Sequence, residues 1–377
     1  MHEDRRLSET ATQHLLRTTP DHPVLYVCPD SLVKTLRVFQ SSFCGMTTFA
    51  VKANPDPTII ENFAAAGLAG YDVASSYEVE LVHRIAPDAP MHYNNPVRSK
   101  AEIKHALAHG VRSFSVDRPT ELLKLVEHAP RTETEVSVRL KLPLEGAAYD
   151  FGEKYGASPA FALPLLQQAR DLGFIVSMTF HPGTQCRSPD TWRRYITECA
   201  ELAKAAGVRL HRLNVGGGFP SQRKTSETSD LTAVFDCIHQ TVETVFDAPP
   251  ALVCEPGRAL VAEACTLAVR VKSIDDDDIT LNDGVYGGMS EFRDIYPVDR
   301  IDVIAPTGAQ RLAAKALRPI FGPTCDSLDT IPGGLPLPAD TEEEDYLLIR
   351  GMGAYAIGIG SRFNGYGAIE VVPVSAV

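Results

Sequence analysis

The chain has 377 residues, 44% of them hydrophobic, and a formal charge of −12. That length supplies core for two domains. The acidity, with Lys and Arg nowhere gathered into a stripe, argues against a nucleic-acid partner. No apolar stretch reaches the ~20 residues of a membrane span, and residues 1–17 are polar and charged without a secretory apolar core, so a cytoplasmic protein is expected. Eight cysteines lack CxxC or CxH spacing, and several (Cys28, Cys254, Cys265) sit in apolar runs, which fits reduced, buried thiols rather than disulfides or a metal site.

A first predicted strand at 24–28 precedes the main repeat and is expected to pair with the C-terminal part of the chain. From about residue 47 to 258, short β-branched or aromatic runs alternate with longer amphipathic ones. The predicted strands are FAVK (49–52), YDVA (71–74), MHYNN (91–95), SFSVD (113–117), VSVRLKL (136–142), VSMTFH (176–181), LNVGGG (213–218) and LVCEPG (252–257). Between them, segments such as 100–109, 120–128, 161–172 and 191–205 carry a helical period, several closed by Gly. Such alternation predicts right-handed βαβ units and a parallel sheet, and eight units are the number that closes a (β/α)8 barrel. An open doubly wound sheet is the alternative, but no GxGxxG follows the first strand. The expected division is a barrel over 31–262, with 1–30 and 263–377 forming a second domain. In that second part the runs at 264–274, 279–282, 301–304, 346–350 and 368–374 are split by Gly and Pro turns without helices between them, which predicts a mostly antiparallel β-domain. The acidic stretch 275–278 reads as a hairpin tip and 332–344 as a surface loop.

In such barrels, chemistry gathers at the C-terminal strand ends. Those positions hold Lys52, Asp72, Asn94, Asn95, Arg139, His181, Gly216 to Gly218, Glu255 and Arg258. A lysine ending a buried run either caps the strand harmlessly or offers its amine for a Schiff base. The loops after the seventh and eighth strands, GGGFP and EPGR, combine close-approach glycines with one Arg. A tight turn would explain the glycines alone, but with Arg258 a phosphate monoester is the better reading. Lysine and phosphate cradle together point to pyridoxal 5′-phosphate (PLP). A carboxylate is then needed beside the pyridine nitrogen; Glu255 is in position, a salt bridge to Arg258 being the alternative. His181 could stack on the ring, and Thr184 offers a hydroxyl in the turn that follows it.

These residues sit in an ordered set of motifs: AVKAN around Lys52, YDVAS around Asp72, EKYGA around Lys154, FHPGTQ around His181, NVGGGFP, EPGR, NDGVYG at 282–287, GPTCDSLD at 322–329, GAY at 353–355 and FNGY at 363–366. With them the chain resembles the fold-type III PLP-dependent decarboxylases, whose members act on ornithine, lysine, arginine and diaminopimelate. GPTCDSLD and NDGVYG look most like the ornithine/lysine branch. The resemblance implies an alanine racemase-like architecture of barrel plus β-domain, with PLP as cofactor. It implies that Lys52 forms the Schiff base, Glu255 pairs with the pyridinium and His181 stacks on the ring. Gly217, Gly218, Gly257, Arg258, Tyr355 and Thr184 would bind the phosphate, and Asp72, Glu78 and Arg139 would wall the site. Cys325, the proton donor, and Asp326, holding the distal ammonium of the substrate, would come from the partner subunit of a homodimer. Tyr286 and Asp294 would also face the substrate. The implied reaction is decarboxylation of L-ornithine to putrescine or of L-lysine to cadaverine.

The chain departs from the family pattern in two places. Pro182-Gly183-Thr184 follows the His where Val-Gly-Ser is usual, and the substrate-reading segment 288–294 holds Arg293 beside Asp294. The second departure keeps an alternative open, a larger or conjugated amino acid (as in siderophore or antibiotic pathways) or diaminopimelate. A regulatory relative without PLP would not need Lys52, Glu255, Arg258 and Cys325 together, and a racemase would want a second base, commonly a Tyr, opposite the lysine.

Overall fold

A computed structural model describes residues 9–143, 154–228, 230–295 and 297–377; the first eight residues and Glu153 of the EKYGA motif lie outside this range. The chain divides into two compact units, Leu36–Pro220 with Asp230–Ala259, and Met1–Thr35 with Ser221–Ser229 and Leu260–Val377.

The first unit holds nine parallel strands in the order Met46–Thr47, Ala251–Cys254, Arg212–Asn214, Ile175–Phe180, Glu135–Leu140, Ser113–Val116, Met91–Tyr93, Tyr71–Val73 and Phe49–Ala50. The first and last of these are two pieces of one segment. Thr48, between them, donates its amide to the Cys254 carbonyl at 2.9 Å, so the sheet returns on itself. This is the (β/α)8 barrel, its first strand broken in two. The lysine does not end that strand as the sequence pattern suggested. Pairing stops at Ala50, and Lys52 rides on a 3₁₀ turn, Val51–Ala53, closed by the Asn54 amide on the Val51 carbonyl at 3.0 Å.

Apolar and polar residues alternate along the two longest barrel strands, but both faces are buried. In Glu135–Leu140, Glu135, Ser137 and Arg139 alternate with Val136, Val138 and Leu140; in Ile175–Phe180, Ser177 and Thr179 alternate with Val176, Met178 and Phe180. Apolar side chains meet the surrounding helices, while small and polar ones fill the lumen. The outer helices start where backbone donors find a cap or need none. Asp56, Ser75 and Ser99 cap the helices Pro57–Ala65, Ser76–Ile85 and Lys100–Ala108, and Pro stands in the first turn of Pro119–His128, Pro159–Asp171 and Pro189–Ala206. Gly207, at φ 63°, ends the last of these in the left-handed region. An aromatic knot of Phe39, Trp192, Phe219 and Phe235, with centroid spacings from 5.4 to 5.6 Å, packs outside the barrel below the glycine loop.

In the second unit the sheet order is Ile301–Ile304, Tyr346–Arg350, Cys265–Asp275, Val24–Val27 and Glu370–Pro373. Its pairs are antiparallel except that Val24–Val27 runs parallel to Glu370–Pro373 and Asp278–Leu281 parallel to Ile320–Phe321. Cys265–Asp275 continues into a hairpin with Asp278–Leu281, turning at Asp276 (φ 50°) as the acidic run predicted. The stretch 332–344 is not simply a loop. Leu335–Pro338 pairs with Lys315–Arg318, and Leu335 and Leu337 are fully buried. Its prolines masked the strand, because a two-stranded ribbon uses ladder donors on one edge only and tolerates Pro on the other. All eight cysteines are free, Cys44 and Cys325 being exposed. No helix among the described residues is long and apolar enough to cross a membrane.

Candidate active site

The barrel's C-terminal rim brings together most of the residues expected there. Lys52 Nζ lies 3.2 Å from Asp72 Oδ2; the lysine side chain is 45% exposed and the aspartate 1%. The other oxygen of Asp72, Oδ1, is buried without a hydrogen-bond partner. Glu78, in the first turn of Ser76–Ile85, accepts the Ala74 amide at 2.7 Å, and burial together with the Asp72 charge pushes its carboxyl up to about 7. Arg139 extends over the Tyr155 ring at 5.6 Å.

Glu255 is the most constrained of these groups. Asn94 and Asn214 both donate side-chain amide hydrogens to its Oε1, and Ser115 Oγ donates to Asn94 Oδ1 at 2.8 Å. The strands leading to Asn94 and to Glu255 are not neighbours in the sheet, so this contact crosses the lumen. Burial is the main force on Glu255 and, with Asp72 nearby, pushes its pKa up to about 8 against the pull of Lys52 and the Asn214 hydrogen bond. His181 is held well below its ordinary value, first by burial and then by the charges of Arg139 and Lys52, so its imidazole is neutral at physiological pH. Gly183 donates its amide to His181 Nδ1 at 3.1 Å, which leaves the ring proton on Nε2.

The glycines are required by contact. A Cβ on Gly218 (φ 77°) would stand 2.0 Å from the Gly183 carbonyl, one on Gly217 2.6 Å from the Glu255 carbonyl, and one on Gly257 2.8 Å from Ala53 Cβ. The loop after Arg212–Asn214 is thereby pressed against the His181 loop, where Cys186 N–H reaches the Gly218 carbonyl at 2.9 Å and Thr184 is half-buried. Arg258, 6% exposed, opens a short helix directly after Gly257.

The remaining candidates belong to the second unit. Tyr286 donates its hydroxyl to Asp326 Oδ2 at 2.7 Å, and Leu328 N–H donates to Asp326 Oδ1 at 2.9 Å. Both hold the Asp326 carboxyl below the usual range. Cys325 is exposed, its amide on Asn364 Oδ1 at 3.0 Å. Asp329, buried beneath, accepts from Val285 N–H at 3.0 Å and from the Thr324 hydroxyl at 2.8 Å, tying the NDGVYG and GPTCDSLD segments together. Tyr355 is half-buried with φ 65°. Asp294 stands exposed after the turn Ser290–Arg293, and no hydrogen bond or ion pair among the described residues joins it to Tyr286 or Asp326.

Residues 30–262 match the family model of the pyridoxal-dependent decarboxylases, pyridoxal binding domain. The chain belongs to this family. It is 29% identical to ornithine decarboxylase of Mus musculus, over 96% of this chain and 82% of the relative. It is also 29% identical to the lysine/ornithine decarboxylase of Selenomonas ruminantium, over 96% of this chain and 91% of that one. The solved structure of lysine/ornithine decarboxylase from Vibrio vulnificus complexed with cadaverine superposes with a TM-score of 0.82 at 26% identity, covering 97% of this chain and 99% of the other.

The protein is thus a PLP-dependent amino-acid decarboxylase. The donor set fits the cofactor: a reachable amine, a buried acid with one oxygen uncommitted, a second buried carboxylate with an unpartnered oxygen, and a cation beside a glycine cradle. Sequence reasoning placed Asn94 at a strand end without a role and passed over Asn214, Ser115 and Asp329 as anchors. The signal available for the first three was their place at lumen-facing strand positions, where a buried amide or hydroxyl needs a partner.

Proposed function

We propose that this decarboxylase acts on a basic L-amino acid, L-ornithine first and L-lysine second, releasing CO2 and a diamine. The observation that carries the reading is Asp326, an ionised carboxylate on an exposed loop, oriented by Tyr286 and Leu328 and so suited to a distal ammonium. The names of the relatives support the same substrate class. When bound, PLP supplies an electron sink for the pair left on the α-carbon as CO2 departs.

Lys52 would hold the cofactor through its amine and Asp72 would orient that amine. Glu255 would hold the proton at the ring nitrogen. His181, neutral and with its Nδ1 occupied, would press its face on the ring. Gly217, Gly218, Gly257, Arg258, Thr184 and Tyr355 would bind the phosphate, and Glu78 and Arg139 would line the site. By the family resemblance, Cys325 and Asp326 act in the site of a partner copy, the thiol protonating the α-carbon and the carboxylate reading the far amine. Asp294 would add a second anion for that amine. Its exposure favours, as the second reading, a larger or conjugated substrate.

The two roles separate kinetically. Asp326→Asn should raise KM for ornithine on the order of tenfold or more, by loss of a charged hydrogen bond, with a smaller change in kcat. Cys325→Ala should lower kcat on the order of a hundredfold, the usual scale for losing a general acid. Equal effects of Asp326→Asn on a diamino acid and on a neutral one would refute the ammonium assignment.

A further inference from the structure

The hydrogen bonds around Glu255 decide which of its oxygens can carry a proton. Both amide donors, from Asn94 and Asn214, converge on Oε1. Each amide is held from behind. Gly216 N–H donates to Asn214 Oδ1 at 2.9 Å, and Ser115 Oγ donates to Asn94 Oδ1 at 2.8 Å. A backbone N–H can only donate, so turning Asn214 over would set donor against donor there and a carbonyl against Oε1. Glu255, Asn94, Asn214 and Ser115 are all nine-tenths or more buried, with exposures of 7%, 9%, 7% and 0%, a setting in which a polar group needs its partner. Oε2 has no hydrogen bond from the described residues, whereas Oε1 has two.

We propose that Asn94 and Asn214, the former aimed by Ser115, are positioning residues that reserve Oε1 as an acceptor and assign the one exchangeable proton of Glu255 to Oε2. A hydrogen on Oε1 would have to point into amide donors that offer it no acceptor. On Oε2 it stands at the uncommitted oxygen. The inference rests on the reading of Glu255 as partner of the ring nitrogen: the proton then lies at the oxygen left open to that nitrogen. The Asn214 amide also opposes the burial that drives the acid toward its neutral form, its hydrogen bond lowering the pKa that burial raises.

The test is titration of the Glu255 carboxyl in the apoprotein by isotope-edited infrared spectroscopy, its band identified by its loss in Glu255→Gln, together with PLP affinity. Asn94→Ala removes a hydrogen bond to a charged group, so the midpoint should rise by about one pH unit and the PLP dissociation constant by about tenfold. Ser115→Ala should raise the midpoint less, because Asn94 keeps its own donor to Oε1 and loses only the hydroxyl that steadies it from behind, and Ser115→Thr, which keeps the hydroxyl, should restore the wild-type midpoint. An unchanged midpoint in Asn94→Ala overturns the proposal; so does one in Ser115→Ala should Asn94→Ala fail to fold. The ring-partner reading is judged apart. If the PLP-loaded Glu255→Gln protein keeps the wild-type ring absorbance, that reading falls, whatever the apoprotein titrations show.

Discussion

Glu255, Glu78 and Asp283 are acids that burial has made weak, with pKa values near 8, 7 and 7. A folded-state pKa above the unfolded one means that the folded chain binds more protons. The stability this contributes is fully present below the ordinary carboxylate range and is lost as pH rises through the folded values. The apoprotein should therefore lose thermal stability between about pH 4 and pH 8, and Glu255→Gln should flatten that fall. Calorimetry across this range checks it; a Tm that rises over the same interval would contradict the assigned environments. At this scale the sequence was informative about reactive residues and silent about their keepers. Lys52, His181, Glu255 and Arg258 stand out because their types are costly at buried strand ends. Asn94, Asn214 and Ser115 do not, because an amide or a hydroxyl in a strand has no chemistry until its partner across the lumen is known.

At the scale of elements, periodicity exposed all eight barrel strands and the five main runs of the β-unit, because burial on one or two faces writes a period into the chain. It missed Leu335–Pro338, whose Pro-Leu alternation also reads as a loop, and it misplaced the end of the first barrel strand, where a 3₁₀ turn takes over at Val51. The glycine loop was visible by composition, but the partner that demands each glycine was not. Gly218 joins a positive φ to a carbonyl contact, so Gly218→Ala should destabilise the protein by about 1–3 kcal/mol through strain and forced movement of the 181–186 loop. Denaturant unfolding measures the stability and PLP titration should show weaker binding; wild-type values in both would mean that the loop is more accommodating than its packing indicates.

On the scale of the whole molecule, the barrel unit holds the cofactor-facing candidates apart from Tyr355, which belongs to the second unit with Cys325, Asp326 and Tyr286. The proposed shared-site homodimer makes a prediction that a self-contained chain does not. Mixing Lys52→Ala with Cys325→Ala protein should restore roughly a quarter of wild-type activity, since random exchange gives half hybrids, each with one intact site. No recovery after subunit exchange would mean that each site is built within one chain. The substrate was the least legible property: it depends on where the short segment 288–294 and the Cys325–Asp326 loop stand, and neither residue type nor spacing fixes a distance. The central claim is tested most directly by measuring CO2 release, with products identified by mass, when the PLP-loaded protein meets L-ornithine, L-lysine, L-arginine and meso-diaminopimelate, with Lys52→Ala as control. Turnover of ornithine or lysine to its diamine, abolished in Lys52→Ala, is the expected result; no turnover of any of the four by protein that retains its PLP would contradict the basic amino-acid assignment.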